Sequence, residues 1–422
     1  MIPTDDIHFV PIFYFLMTTP PAEASSVIDI RRNRLRSHLI LELYQNGQTS
    51  INRMARLFHA SIPSATGIVN DLIREGWIQE TGTGVARAGR PPALYGLNTQ
   101  KYSTLILDIT RHDTRLVVFD LANEFVAQKQ IDLKLDDSET FLDTLIDETG
   151  AFLKAHNLDH NRLWGIGVSM PGLINVQKGT NQTYPHLTGA DLSLAARLEG
   201  QFQLPVILVN DTHATTIGEH RFGLAKGKKH VLTINIDWGV GLGILLNGEV
   251  FNGASGFAGE LGHIQVQPDG LLCHCGKIGC LDTITSGFAL IREAQAGIEA
   301  GRSTVLLQMK KESEPLDTHH IIRAAHSGDA FCIELLTDLG TELGKGIATA
   351  VHMFNPEIVI ITGLLAEAGP FIADPVKQAI HQYCLSDFRD TLSLRVSQLG
   401  SKARQWGIQV HLVEQLVARE FS

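Results

Sequence analysis

The sequence contains no run of about 18 consecutive apolar residues, the length that a membrane-spanning helix needs. It has only five cysteines in 422 residues, and three of them fall within eight positions. This distribution is not that of a disulfide-stabilised secreted protein and favours a reducing cytoplasm. No lysine or arginine precedes the apolar segment 7–17, although a secretory signal requires such a basic start. The composition therefore predicts neither a membrane span nor a secretory signal.

The N-terminal segment, residues 1–28, is interpreted as an extension of the folded protein. Asp5 and Asp6 precede its apolar residues, and a polar stretch begins at Met17. Our hypothesis is that residues 1–16 are a mis-assigned upstream extension and that Met17 is the true start. A peptide map of the native protein that contains residues 2–16 would contradict it.

Positive charge is concentrated in one short segment. Residues 29–90 hold nine arginines and five acidic residues, a net charge of +4, whereas residues 91–422 carry −11. A small basic segment attached to an acidic body indicates a nucleic-acid-binding module on a body that avoids nucleic acid. A chain of this length accommodates two or three domains.

Apolar periodicity within residues 29–85 predicts three helices, at 31–44, 50–59 and 63–74, with a short turn between the second and third. In the third helix we expect an inward face of Ala65, Ile68, Val69, Leu72 and Ile73 and an outward face of Ser64, Gly67, Asn70, Asp71 and Arg74. A strand at 76–80 and a return strand at 93–95 would add a wing. The pattern predicts a winged helix-turn-helix DNA-binding domain, with a small helical packing domain as the alternative.

The outward and basic residues of this module are the predicted DNA contacts. They are Arg53, Ser64, Thr66, Gly67, Asn70, Arg74, Arg87 and Arg90. The last two belong to a basic linker over residues 86–98. Its Gly-Arg-Pro core can lie in an A·T-rich minor groove with Arg90 inserted, or it can serve as a stiff linker.

The clustered cysteines have metal-ligand spacing. Cys273, Cys275 and Cys280 follow His263 closely along the chain. Three thiolates and one imidazole supply the four ligands of a closed tetrahedral zinc site. The sequence therefore predicts a structural Zn²⁺, and three reduced surface cysteines are the alternative.

From residue 99 onward, strands alternate with helices. Strands are predicted at 105–109, 116–119, 124–127, 163–168, 206–209, 231–236, 243–246 and 358–361, and helices at 140–156, 213–222, 335–355 and 405–420. The alternation predicts an α/β body built of two units in series.

Several motifs together resemble the ROK (repressor, open reading frame, kinase) family, and within it the DNA-binding repressors of sugar metabolism. They are SMPGLI at 169–174, the Asn210-Asp211 pair, GELGH at 259–263 and CHCGKIGCLD at 273–282. The resemblance covers roughly residues 27–422. It implies a two-lobed ribonuclease-H-like body of the actin and hexokinase type. Lobe 1 would span 99–226, lobe 2 with the zinc site 227–395, and a C-terminal helix within 396–422 would pack back on the N-terminal half.

The resemblance also implies a sugar site. Its hydroxyl-binding residues would be Asn210, Asp211, Glu260, His263 and Asp282, and its zinc ligands His263, Cys273, Cys275 and Cys280. Asp282 stands where the family usually has glutamate, so its side chain is one methylene shorter and reaches less far toward a sugar. Because carboxylates and amides pair well with hydroxyls, the lining suits a neutral sugar ring.

The phosphate motifs of the family's kinases are altered in this chain. The first, Asp-x-Gly-x-Thr, falls on residues 108–112, where Thr110 replaces the glycine and His112 the threonine. The second, Gly-Thr-Gly, falls near residues 237–241, where Asp237 and Trp238 would repel or crowd phosphates. The adenosine-side Gly-Gly is reduced to Gly363. We therefore expect no kinase activity, because phosphoryl transfer needs a phosphate cradle and Mg²⁺.

These observations predict a cytoplasmic transcriptional repressor of sugar uptake or metabolism genes. A homodimer or tetramer would bind operator DNA, and a sugar or sugar-phosphate effector would release it. One alternative is an active sugar kinase that carries a DNA-binding module. Another is a repressor with a vestigial sugar site that is controlled by the cytoplasmic domain of a phosphotransferase-system transporter.

Overall fold

The computed structural model describes residues 27–85, 91–136, 138–187, 192–309 and 315–422. Two compact units make up the chain, one formed by residues up to Lys101 together with Val413–Ser422, the other by Tyr102–Leu412. Within the described ranges, no helix has the length and apolar character needed to cross a membrane. The hypothesis on Met17 and the predicted DNA contacts Arg87 and Arg90 lie outside the described residues.

The smaller unit begins with three helices and an antiparallel hairpin. They are α1 (Val27–Asn46), α2 (Ile51–Leu57), α3 (Ile62–Arg74), β1 (Ile78–Thr83) and β2 (Ala93–Leu97). Helices α2 and α3 begin after Ser50 and Ser61, whose hydroxyls accept hydrogen bonds from backbone N–H groups three residues further on. The second strand of the hairpin lies beyond residue 85, where we expected the DNA-binding domain to end.

Two side chains of α3 lie opposite to their expected positions. Asp71, expected outward, is buried because its carboxylate accepts hydrogen bonds from Arg32 of α1 and from Arg74. Ile73, expected inward, is 39% exposed. A buried carboxylate is tolerated only when it is paired, so the arginine of α1 decides the orientation of this helix face.

The larger unit contains two lobes. The first is built of β3 (Ser103–Ile109), β4 (Thr114–Asp120), β5 (Phe125–Ile131), α4 (Phe141–Ala155), β6 (Leu163–Met170), β7 (Ile174–Asn175), β8 (Thr180–Asn181), α5 (Leu194–Phe202), β9 (Val206–Asn210) and α6 (Asp211–Phe222). The second is built of β10 (Val231–Ile236), β11 (Val240–Leu246), β12 (Glu249–Val250), α7 (Asp282–Thr285), α8 (Gly287–Glu299), α9 (Leu306–Met309), α10 (Thr318–His326), α11 (Ala330–Phe354), β13 (Ile358–Thr362), α12 (Pro370–Tyr383), α13 (Ser386–Arg389) and β14 (Ser393–Val396). The last helix is α14 (Ser401–Glu420).

Each lobe has a five-stranded mixed sheet, and the two sheets repeat one topology. The strand orders are β5-β4-β3-β6-β9 and β12-β11-β10-β13-β14. In each, an antiparallel meander is followed by two strands that run parallel to its first strand. The prediction of an α/β body made of two units in series is confirmed. Strands β7, β8, β12 and β14 and helices α5, α7 to α10, α12 and α13 were not predicted. Helices α7, α9 and α13 are single turns of four residues, whereas α8, α10 and α12 are longer and were missed.

The parallel strands position the candidate site. Strands β3, β6 and β9 end near Asp108, Ser169 and Asn210, and β10 ends just before Asp237. Because carboxyl ends of parallel strands meet at one edge of a sheet, polar residues at these ends converge there. The strands themselves are almost fully buried, which fixes that edge rigidly.

The end of α14 belongs to the smaller unit. Within that unit the Phe421 ring lies 5.6 Å from the ring of Trp77, and Gln45 donates a hydrogen bond to Glu414 at 2.9 Å. The core of the small unit therefore includes residues from both ends of the chain.

Candidate metal centre and ligand cleft

The four predicted metal ligands come together in the second lobe. The ligand atoms of His263, Cys273, Cys275 and Cys280 all lie within 4.8 Å of one another. The Cys275 and Cys280 sulfurs are 3.6 Å apart, and the Cys273 sulfur is 3.7 Å from His263 Nδ1. Zinc–sulfur bonds of about 2.3 Å in a tetrahedron place ligands roughly 3.7 Å apart. The donor set and its spacing therefore fit a zinc ion.

Two backbone segments pass so close to each other beside the cluster that one position requires glycine. Gly279 has φ +72°, and a Cβ added there would lie 1.5 Å from the carbonyl oxygen of Gln267. No other residue type fits this position without moving the loop. Burial raises the pKa of the Cys280 thiol to about 12, so a bound cation would have to displace this proton.

His263 joins the metal centre to the cleft. Its Nδ1 faces the Cys273 sulfur, and its Nε2 lies 3.7 Å from the Glu260 carboxylate. Partial burial, together with the charges of Asp211 and Asp282, raises the pKa of Glu260 to about 7. Asp211 and Asp282 therefore lie close enough to Glu260 for their charges to disfavour its ionised form, and hydroxyl groups would be favourable partners for these acids.

Asn210 and Asp211 stand at the start of α6. The Asn210 side-chain oxygen caps the helix by accepting hydrogen bonds from two backbone N–H groups, and its amide nitrogen donates to the Gly172 carbonyl at 3.1 Å. One Asp211 carboxylate oxygen accepts from the Thr212 N–H at 2.7 Å, and the other lies 3.4 Å from the Asn235 amide. Burial raises the pKa of Asp211, although the charge of Arg404 opposes the shift. Asn210 is thus held within its own lobe, whereas Asp211 also contacts Asn235 of the second lobe.

Both carboxylate oxygens of Asp282 contact other groups of the protein. It is buried, its Oδ1 accepts a hydrogen bond from the Val240 N–H at 2.7 Å, and its Oδ2 lies 3.7 Å from His274 Nδ1. These contacts tie the start of β11 to the chain just after the last cysteine. Asp282 therefore positions the chain after Cys280 against the start of β11, whether or not it also contacts a ligand.

Asp108, the first residue of the altered phosphate motif, pairs with a positively charged side chain of the protein. It is fully buried, and its carboxylate accepts hydrogen bonds from the Arg404 guanidinium and from Gln405 at 3.1 Å. A guanidinium thus lies against the first carboxylate of the altered phosphate motif. Neither Arg404 nor Gln405 was predicted, because they lie almost 300 residues from Asp108.

The turn between β3 and β4 contacts the turn between β10 and β11. His112 Nε2, in the turn between β3 and β4, lies 3.2 Å from the Asp237 carboxylate in the turn between β10 and β11. The hydrogen bond with Asp237 raises the pKa of His112. Burial alone would raise the pKa of Asp237, but His112 and Arg404 hold it below its usual value. A direct bond thus joins residues of the two altered phosphate motifs.

The predicted DNA contacts in the described part of the smaller unit are mostly exposed. Ser64, Gly67, Asn70 and Arg74 lie on the outer face of α3, and Arg53 on α2 is also exposed. The remaining residue departs from this pattern. Thr66 is half-buried, and its hydroxyl donates to the Ile62 carbonyl at 2.8 Å.

Comparison with known proteins agrees with this arrangement. Residues 104–415 match the model of the ROK family. The N-acetylglucosamine repressor of Escherichia coli, also named DNA-binding transcriptional dual regulator NagC, is 30% identical over 85% of this chain and 87% of its own length. A glucokinase of Halalkalibacterium halodurans is 31% identical over 70% of this chain and 91% of its own length.

A solved structure extends the likeness into the smaller unit. It is a ROK family transcriptional regulator described as a homologue of the E. coli Mlc protein, with a TM-score of 0.77 and 29% identity. The match covers 93% of this chain and 99% of that one. The chain therefore belongs to the ROK family.

Proposed function

We propose that this protein is a sugar-responsive transcriptional repressor that binds operator DNA through a winged helix-turn-helix domain. One observation carries the proposal: a unit with an exposed polar helix face is joined to a sugar-kinase-like body in which Asp237 of the altered phosphate motif is paired with His112. The similar repressors match both units, whereas the similar glucokinase matches 70% of the chain.

The smaller unit supports the DNA-binding part of the proposal. Helix α3 follows α2 after a short turn, and it packs through Ala65, Ile68, Val69 and Leu72. Its opposite face carries small and polar side chains, which is the arrangement of a recognition helix that enters the major groove. The hairpin of β1 and β2 would form the wing, and a homodimer would place two such units on a palindromic operator.

Gly67→Ala provides a sharp test of this face. A Cβ at Gly67 would meet nothing within 4 Å, so no helix crossing explains the glycine. Alanine should stabilise the protein by roughly 1 kcal/mol against unfolding, since glycine is unfavourable inside helices. We nevertheless expect operator affinity to fall about tenfold or more, because the added methyl group would keep α3 from the DNA backbone. Thermal unfolding and a gel-shift titration measure the two effects.

Gly150→Ala is the matched control for this test. Gly150 lies inside α4, and a Cβ there also meets nothing within 4 Å. The control should gain similar stability and keep full operator affinity. Unchanged DNA binding by Gly67→Ala would contradict the proposed recognition face.

The zinc centre and the cleft support the effector part of the proposal. A zinc ion held by His263 and the three cysteines would be structural, because protein ligands fill all four positions. It would hold His263 and Glu260 toward Asn210 and Asp211, which belong to the other lobe. A sugar bound between them would bias the closure of the lobes and thereby DNA affinity, a coupling that is typically about 1–3 kcal/mol.

A DNA-release assay across free and phosphorylated sugars tests the effector directly. We expect one sugar to weaken operator binding about tenfold or more, and Asp211→Asn to reduce that response without changing operator affinity in its absence. If no sugar releases DNA but the cytoplasmic domain of a sugar transporter does, the proposed sugar control is wrong and the protein-controlled alternative holds.

A sugar kinase with a DNA-binding module is the second candidate, since the relatives include a glucokinase. Against it stand the neutralised Asp108 and the contact between His112 and Asp237. We expect no ATP-dependent phosphorylation of any hexose in a coupled assay. Turnover of even a few per second would establish the kinase instead.

A further inference from the structure

An exposed isoleucine, Ile62, stands at the start of α3, the helix that we propose enters the major groove. Its side chain is 57% exposed, although Ile68 and Val69 of the same helix are buried. The backbone is held here, because the Ser61 hydroxyl accepts a hydrogen bond from the Ser64 N–H at 3.3 Å. Isoleucine also has one strongly preferred rotamer in a helix. Ile62 is therefore an apolar side chain that is already ordered before any partner binds.

Thr66 lies one turn further on, on the same side of α3 as Ile62. Its hydroxyl donates a hydrogen bond to the Ile62 carbonyl at 2.8 Å. The hydroxyl proton is thus used within the helix and is not available to a base edge. The methyl group is the part of Thr66 that is left for contact with a partner. Ile62 and Thr66 together give the start of α3 one apolar side.

Ile62 is the only large apolar side chain that is exposed near the start of α3. Most other exposed residues of this helix are small, polar or charged, namely Ser64, Gly67, Asn70 and Arg74. Ile73 is exposed as well, but it lies roughly 16 Å further along the helix axis. The first residues of a recognition helix contact base edges in the major groove. An apolar side chain at this place has one suitable partner there, the methyl group of thymine.

We infer that Ile62 determines part of the operator sequence by contacting the 5-methyl group of a thymine, with the methyl group of Thr66 beside it. The inference rests on the proposed function, since it requires α3 to lie in the major groove. Among the four bases only thymine has an apolar group on its major-groove edge, whereas cytosine presents an amino donor there. Ile62 cannot accept a hydrogen bond from that amino group, so cytosine at this position is disfavoured.

A double-mutant cycle between protein and DNA tests the inference. Binding sites are selected with the full chain from a library of random-sequence duplexes. Each thymine of a selected site is then replaced singly by uracil, which lacks only the methyl group. At one position of the half-site we expect this change to weaken binding of the native protein about 3- to 10-fold. Ile62→Ala should weaken binding to the thymine site by a similar factor and should bind the two DNAs within about twofold of each other.

Two further variants make the test specific. Ile62→Val keeps a branched apolar group and should keep most of the preference for thymine. Ile30→Ala is the matched control, because Ile30 on α1 is 58% exposed, and it should keep the full preference. If uracil weakens native protein and Ile62→Ala equally at every position, the inference alone is wrong. If the native protein selects no sequence from the library, the proposed binding of operator DNA fails with it.

Discussion

Arg404→Met should lower the free energy of unfolding by about 3–5 kcal/mol, the usual cost of leaving one partner of a buried ion pair alone. Asp108 is fully buried, and the Arg404 guanidinium and Gln405 hold its carboxylate. Arg404 also attracts Asp211 and Asp237, so its removal leaves three neighbouring carboxylates without this positive charge. Urea-induced unfolding followed by circular dichroism measures the change.

Two comparisons make this prediction specific. Arg302→Met breaks an exposed pair with Glu334 and should leave the urea midpoint of unfolding almost unchanged. The double variant Asp108→Leu with Arg404→Met removes both charges and should recover most of the lost stability. A loss below about 1 kcal/mol for Arg404→Met alone would mean that the pair does not stabilise the base of the cleft.

Cys280→Ser should abolish metal binding and the response to effector. The Cys280 side chain is fully buried, and its sulfur lies 3.6 Å from that of Cys275 at the centre of the cluster. Because metal binding and the folding of such a loop are coupled, loss of one thiolate should loosen the segment that carries Glu260 and His263. Elemental analysis should find about one zinc per chain in the native protein and none in the variant. The effector should then no longer release DNA.

Cys384→Ser is the control, since Cys384 is a buried cysteine outside the cluster. It should keep its zinc and its response to effector. A metal-free Cys280→Ser protein with full operator binding and full release would show that the cluster has no part in control.

The approach of His263 and the three cysteines to one another was predictable because these residues are close along the chain. Cys273, Cys275 and Cys280 lie within eight residues, so the chain has little freedom to separate them. The same holds for the capped starts of α2 and α3, where Ser50 and Ser61 act over three residues. The inward face of α3 was predicted less well, because the position of Asp71 depends on Arg32 of another helix.

Contacts between distant residues were beyond the reach of the sequence. Arg404 meets Asp108 only because α14 packs against the end of β3, and His112 meets Asp237 only because two hairpin tips converge. No periodicity or spacing encodes such pairings. They show that Asp108 and Asp237, which lie in the altered phosphate motifs, are paired with other side chains of the protein.

By itself, the sequence determined the α/β body, the basic N-terminal segment, the metal-ligand spacing and the family resemblance. Each depends on composition or on residues close along the chain, where covalent connection limits the distances. Only the tertiary structure decided the partners of Asp108, Asp71 and Asp237 and the burial of Asp282. The balance of charges in the cleft is a sum over residues from both lobes, and folding alone brings those residues together.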